Sequence, residues 1–140
     1  MKEEFVTYEL AVKLKEKGFN EPCLASYRWG KFMPHKKEIL GESEYIDEDI
    51  SISYKSLLRD GKESLGIIAP TISQVLKWLR EEKKLFVEPS LFKYGYESYV
   101  QSTIFEDDKD YADTWYVEGF YSTYERAALA GIKYVLDNLI

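Results

Sequence analysis

Between Leu85 and Tyr121 the chain reads LFVEPSLFKY, YESYVQSTIF and TWYVEGFYS, three runs rich in Tyr, Phe, Val, Ile, Thr and Trp. Breaks fall at Pro89, at Gly95 and at the acidic run EDDKDYAD. Aromatic and β-branched side chains suit a pleated, half-buried surface, so these runs predict three strands. Short connections favour antiparallel neighbours, with the acidic run as the loop of a hairpin. Such a sheet must be covered on at least one face, and the segments around it carry helical periodicity.

In IAPTISQVLKWLREEKK, Ile72, Val75, Leu76 and Leu79 recur at i, i+3, i+4 and i+7, and Thr71 with Gln74 has the spacing of a capping box. In FYSTYERAALAGIKYVLDNLI, Ser122 and Glu125 have the same spacing, and Tyr124, Ala127, Ala128, Gly131, Val135 and Leu139 trace one helical face. Small Ala127, Ala128, Ala130 and Gly131 would let this last helix lie close to a sheet. Close approach would offset the roughly 1 kcal/mol that glycine costs a helix relative to alanine. Near the start, TYELAVKLKEKGF places Leu10, Ala11 and Leu14 on one face. Gly18 follows for a left-handed C-terminal turn, with Phe19 to contact the last turn. Thr-Tyr-Glu thus opens both the first and the last helix, with Thr7 and Glu9 suited to a helix start. The similarity ends at Ala11 and Ala127, which argues against an internal repeat.

The stretch CLASYRW alternates Cys23, Ala25, Tyr27 and Trp29 against Leu24, Ser26 and Arg28, the pattern of a strand. From about residue 30 to 66 the chain is polar and punctuated by Gly30, Pro34, Gly41, Gly61 and Gly66, and only ISISY alternates, through Ile50, Ile52 and Tyr54. The expectation is a single α+β domain over residues 1–140: an antiparallel sheet of about 3–5 strands packed by three helices, with a long irregular polar segment at about 30–66. The predicted core includes Leu10, Leu14, Cys23, Ala25, Val75, Leu76, Leu79, Val117, Ala128, Ile132 and Val135.

Chemistry-bearing residues are scarce. His35 is the single histidine and Cys23 the single cysteine, so a Cys/His zinc site or a Ser-His-Asp triad lacks its parts. Cys23, at an inward strand position, reads as a small core residue rather than a nucleophile. No GxxxxGK[ST] or GxGxxG supports nucleotide binding, so neither a cofactor nor a catalytic residue is assigned. The acidic loop at 106–113, with Glu106, Asp107, Asp108, Asp110 and Asp113, offers hard oxygen ligands but lacks the EF-hand spacing, and reads as a solvated hairpin loop. No apolar run reaches the roughly 18 to 20 residues that span a bilayer, and neither a leader nor a cysteine pair is evident. A cytoplasmic protein with no membrane association is the expectation.

Charge and aromatic content point toward binding. Residues 1–84 carry 15 Lys+Arg and 15 Asp+Glu, whereas residues 85–140 carry 4 and 10, so the whole net charge of −6 lies in the C-terminal part. An acidic face repels phosphate backbones and favours a basic partner. Tyr27, Tyr45, Tyr54, Tyr94, Tyr96, Tyr99, Tyr111, Tyr116 and Tyr121 exceed what one small core needs. Tyr and Trp are enriched at interfaces, and Tyr94, Tyr96, Tyr99, Trp115 and Tyr121 form the candidate interface set on the predicted sheet. RWGKFMPHKK mixes Arg28, Lys31, Lys36 and Lys37 with Trp29 and Phe32, as single-strand binders do, although no RNP, KH or helix-turn-helix pattern accompanies it.

Three blocks, FVTYELAVKLKEKGFNEPCLASY, IIAPTISQVLKWLREEKKLFVEP and GFYSTYERAALAGIKYVLDNLI, are similar in that order to small uncharacterised proteins of gut Bacteroidales phages and prophages. The matching positions include Thr7, Ala11, Leu14, Gly18, Phe19, Glu21, Pro22, Cys23, Pro70, Thr71, Trp78, Leu79, Tyr124, Glu125 and Ala127. The resemblance implies an origin on a mobile element and carries over no catalytic residue. Lys31 to Gly66 looks longer and more polar than the corresponding stretch of those relatives. The functional expectation is a non-catalytic accessory protein acting through protein–protein binding, to a partner or to itself. The alternative is a single-stranded nucleic-acid-binding accessory protein using Arg28, Trp29, Lys31, Phe32, Lys36 and Lys37.

Overall fold

The computed structural model describes residues 4–34, 58–59, 62–63, 66–104 and 113–140. Three helices and antiparallel sheets give the α+β class that the periodicities imply. The strands are divided among sheets, and two compact units can be distinguished, one ending at Thr71 and the other running from Ile72 to Ile140.

In the first unit, helix α1 (Tyr8–Glu16) starts where Thr7 Oγ1 accepts from the Leu10 backbone N–H at 3.3 Å. It stops through two bonds, Gly18 N–H to the Lys15 carbonyl at 3.1 Å and Phe19 N–H to the Leu14 carbonyl at 2.9 Å. This is the Schellman pattern, which requires the positive φ of 92° that Gly18 adopts. Leu10, Ala11 and Leu14 face inward with Val6 and Phe19, and α1 packs against strand β5 (Ile67–Ala69).

Strand β1 (Ala25–Arg28) lies between β2 (Lys31–Pro34) and β5, antiparallel to both. Ser26 and Arg28 are buried as well as Ala25, so β1 is covered on both faces. The expected strand through Trp29 stops one residue early. Trp29 and Gly30 form the hairpin turn between β1 and β2, with φ values of 52° and 75°. Positive φ at both positions is the backbone of the mirror-image turn that matches strand twist. Strands β2, β3 (Leu58–Arg59) and β4 (Lys62–Glu63), the last two paired with each other, lie inside the stretch expected to be irregular. The ISISY segment lies outside the described residues.

In the second unit, α2 (Ile72–Glu82) buries Ile72, Val75, Leu76, Trp78 and Leu79. Strands β6 (Leu85–Phe92), β7 (Gly95–Ser102) and β8 (Thr114–Tyr121) follow as an antiparallel meander, in agreement with the three aromatic runs. Helix α3 (Tyr124–Asn138) lies across all three strands and also touches α2. Its N-cap is Thr123, whose Oγ1 accepts from the Arg126 N–H at 3.1 Å, rather than the expected Ser122. Thr7 and Thr123 therefore play the same part, and Thr-Tyr-Glu marks N-cap, N1 and N2 in both helices.

A Cβ at Gly131 would run into Val87 Cγ1 and Ser98 Oγ, so α3 sits as close to β6 and β7 as the small residues suggested. Of the predicted core, Leu10, Leu14, Cys23, Ala25, Val75, Leu76, Leu79, Ala128, Ile132 and Val135 are buried. Val117 is only half-buried, because β8 is an edge strand and α3 covers it less fully than it covers β6 and β7.

Candidate functional site

The register of β6, β7 and β8 sorts their side chains into two faces. Val87 opposes Val100, which opposes Trp115, and Pro89 opposes Ser98, which opposes Val117. These residues face α3, as do Tyr96 and Tyr121, a directly opposed pair. The other face carries Phe86, Glu88, Ser90 and Phe92 from β6, Glu97, Tyr99 and Gln101 from β7, and Thr114, Tyr116 and Glu118 from β8.

The five candidate interface aromatics are thereby separated. Tyr96, Trp115 and Tyr121 are half-buried on the helix side, Tyr96 against the Tyr124 ring at 6.4 Å and Tyr121 donating its hydroxyl proton to the Glu118 carbonyl at 3.0 Å. Tyr99 lies on the outer face and Tyr94 at the β6–β7 turn. Four exposed residues near these two were not singled out for the interface from the sequence: Leu91, Phe92, Tyr116 and Phe120. Fractional exposures of 78% for Tyr116, 74% for Tyr94, 70% for Leu91 and 52% for both Phe92 and Phe120 identify large apolar side chains left in water. Their signal in the sequence is the period-two order of Tyr116, Glu118 and Phe120. Reading it required knowing which face α3 covers.

The outer rings touch one another. Tyr99 and Tyr116, cross-strand partners, have centroids 6.2 Å apart, and Tyr94 meets Phe120 edge-on at 5.9 Å. Lys93 lies 5.6 Å from the Tyr94 centroid, and Arg80 lies 5.9 Å from that of Phe86. The Tyr99 hydroxyl donates to Glu88 Oε2 at 2.9 Å. That bond to a carboxylate, the largest contribution, holds the phenol's pKa above its ordinary value. Glu88, Glu97 and Glu118 all stand on this face, and none forms an ion pair with a described residue.

On the other side of β8, a shallow open groove of about 200 Å³ runs between the strand and α3. Val117, Tyr121, Ala130 and Tyr134 line it together with Lys133, Asp137 and Asn138. Lys133 and Asp137 pair at 3.2 Å, one turn apart on α3.

The patch expected for single strands maps onto the β1–β2 hairpin. Trp29 is 86% exposed at its tip, Lys31 is exposed, and Phe32 packs on Phe5 at 5.0 Å and on Tyr27 at 5.6 Å. Arg28 is buried, 8% exposed, its Nε and Nη2 without a hydrogen-bond partner among the described residues, and burial pulls its pKa down. It shares a sheet face with Lys31, while Phe32 and Tyr27 occupy the opposite one. Lys36 and Lys37 lie outside the described residues, as do His35, Glu106, Asp107, Asp108 and Asp110. Cys23 is buried, its thiol 3.3 Å from the Glu21 carbonyl. Among the described residues no three His, Cys, Asp or Glu side chains gather as a metal site, and no helix is long and apolar enough to cross a membrane.

Comparison with protein-family models, with curated proteins and with solved structures finds no match to this chain.

Proposed function

We propose that this chain is a non-catalytic accessory protein that works by binding another protein, and that it originates from a phage or mobile element of gut Bacteroidales. The binding surface is the outer face of the β6–β7–β8 sheet, continued at its hairpin end. One observation carries this reading: Phe92, Tyr94, Tyr116 and Phe120 are large, apolar and exposed on the outer face of one sheet or at its β6–β7 turn, where isolated apolar residues would need no explanation. Aromatic side chains supply much of the energy at protein interfaces, at a small cost in side-chain entropy. The carboxylates Glu88, Glu97 and Glu118 among them, none ion-paired with a described residue, set the sign of the charge a partner brings.

The test is capture from a Bacteroidales lysate with immobilised protein, alongside light scattering on a sizing column. A partner, or a second copy, should be retained by the native chain and lost in the pair Tyr116→Ser with Phe120→Ser. A strict monomer that retains nothing overturns the reading.

A second reading, binding of single-stranded nucleic acid at the β1–β2 hairpin, draws on Trp29 and Lys31 at the exposed tip. Burial of Arg28 removes one cation from that surface. Affinity for a single strand should fall steeply with salt and vanish in Trp29→Ala with Lys31→Glu; binding insensitive to both excludes it.

A further inference from the structure

We infer that β8 is a docking edge, and that the partner of the proposed binding face is an extended segment that adds to this sheet as a fourth strand. Basic residues of that segment alternate with apolar ones. The inference rests on the protein-binding reading above and specifies what is bound and how.

The backbone geometry comes first. Ser102 N–H donates to the Asp113 carbonyl at 2.8 Å, and Gln101 stands opposite Thr114. Close and wide pairs alternate along an antiparallel ladder. Trp115 and Val117 therefore turn their N–H and C=O groups toward Val100 and Ser98 of β7, while Thr114, Tyr116 and Glu118 turn theirs away. Among the described residues no strand lies on that outer side. The Glu118 carbonyl is occupied by the Tyr121 hydroxyl, which leaves both backbone groups of Tyr116 and the N–H of Glu118 for an incoming strand. Beyond Glu118 a bulge shifts the register, with Gly119 at a φ of 112°, and ends the regular edge.

Side chains of an added strand alternate between the two faces of the sheet. The residue directly opposite Tyr116 projects on the outer face, beside the Tyr116 ring and the Glu118 carboxylate. A lysine or arginine there gains a cation–π contact and a counter-charge. Its neighbours in the segment project toward α3, into the groove lined by Val117, Ala130, Tyr121 and Tyr134, which has room for one aliphatic side chain. Main-chain bonds along an edge with a pocket for alternate side chains is a recurring way to hold an extended peptide.

Charge selects the occupant. Natural edges are blocked by Lys, by Pro or by bulges, and Glu118 is the one charged residue of β8. Pairing β8 with β8 of a second copy in a register centred at or beside Glu118 would bring like carboxylates together, whereas a basic segment neutralises them. Glu118 thus biases the edge against those self-pairings and toward a cationic strand.

The probe is an acetylated, amidated seven-residue peptide in which lysine and valine alternate, compared with an isomer of the same composition arranged in blocks. The alternating peptide should bind, and the isomer should bind at least roughly tenfold more weakly. Tyr116→Pro deletes an outward N–H without touching the ladder to β7, and should also weaken binding roughly tenfold. Tyr116→Ala keeps the backbone donor and loses only the ring, so its effect should be smaller. If Tyr116→Pro fails to fold, amide exchange on the native chain decides: the Tyr116 amide should exchange quickly in the free protein and slow when peptide is added. Equal binding of the two peptides, no binding of either, native affinity in Tyr116→Pro, or a Tyr116 amide already protected in the free protein each overturns the docking edge. Lysate capture that depends on Tyr116 and Phe120 would still uphold the protein-binding reading in those cases, and its loss would remove that reading separately.

Discussion

At single positions the molecule is governed by how little room remains. Gly131 stands where α3 meets the sheet, and the methyl of an alanine would collide with Val87 Cγ1 and Ser98 Oγ. Alanine is the better helix former by about 1 kcal/mol, but both obstructing atoms belong to short side chains of a packed interface that cannot swing aside. Gly131→Ala should therefore lower stability by about 1–3 kcal/mol in urea unfolding, against its helix propensity. Tyr99 illustrates a different constraint, since its bond to Glu88 exists only while the phenol keeps its proton. The folded pKa is raised above the unfolded value of about 10, so the stabilisation is fully present below about pH 10 and is lost as pH rises through the folded value. An alkaline absorbance titration should show a late component, to which Tyr27 also contributes because burial raises its pKa, and Tyr99→Phe should remove one tyrosine's share of it. A titration unchanged by the substitution would show that Glu88 does not hold this proton.

Helices and hairpins form largely for local reasons, which is why many of them could be read from the sequence. The apolar spacings of α1, α2 and α3 and the three runs of β6, β7 and β8 are properties of neighbouring residues, and each appears where the periodicity places it. The caps test that locality. Ser122 and Thr123 are adjacent hydroxyl residues, and only Thr123 bonds the Arg126 N–H. Thr123→Ala should cost about 1 kcal/mol, and Ser122→Ala much less; equal costs would place the cap elsewhere. What escaped the sequence depended on distant partners. Strand β5 consists of three residues and acquires its strand character from pairing with β1, across a separation in sequence that no local pattern encodes, and β2 depends on the Trp29–Gly30 turn, which lacks the usual Asn-Gly signal. The alternation of CLASYRW extends through Trp29, yet Trp29 occupies a turn position suited to Asn or Gly. Trp29→Asn creates the Asn-Gly pair preferred there and removes no buried surface, so the thermal midpoint should rise by the equivalent of about 1 kcal/mol. A fall would mean that the exposed ring makes a stabilising contact in the folded chain.

Over the whole chain, the charge belongs to the C-terminal part, where 10 acidic residues face 4 basic ones. The candidate site is legible there only in kind: surplus tyrosines and an acidic excess imply a binding surface, but the pattern groups Tyr94 and Tyr99 with Tyr96, Trp115 and Tyr121, which lie on the α3 side of the sheet. Which aromatic residues remain in water is settled by helix placement, and the placement depends on Gly131 and the small residues around it. The same surface has a kinetic signature. Fixed negative charge draws a basic segment in before contact and acts mainly on the association rate, leaving dissociation to the short-range bonds of the edge. For the alternating lysine–valine peptide, raising salt from about 0.15 M to about 1 M shortens the screening length from about 8 Å to about 3 Å and should slow association several-fold with little change in dissociation. Glu97→Gln with Glu118→Gln should flatten that dependence while shifting folding stability by no more than about 0.5 kcal/mol, because neither carboxylate forms an ion pair with a described residue. Rapid-mixing fluorescence on both proteins separates the two rate constants. An association rate indifferent to salt in the native chain would mean that the carboxylates of this face do not recruit the partner, and that its aromatic rings act alone.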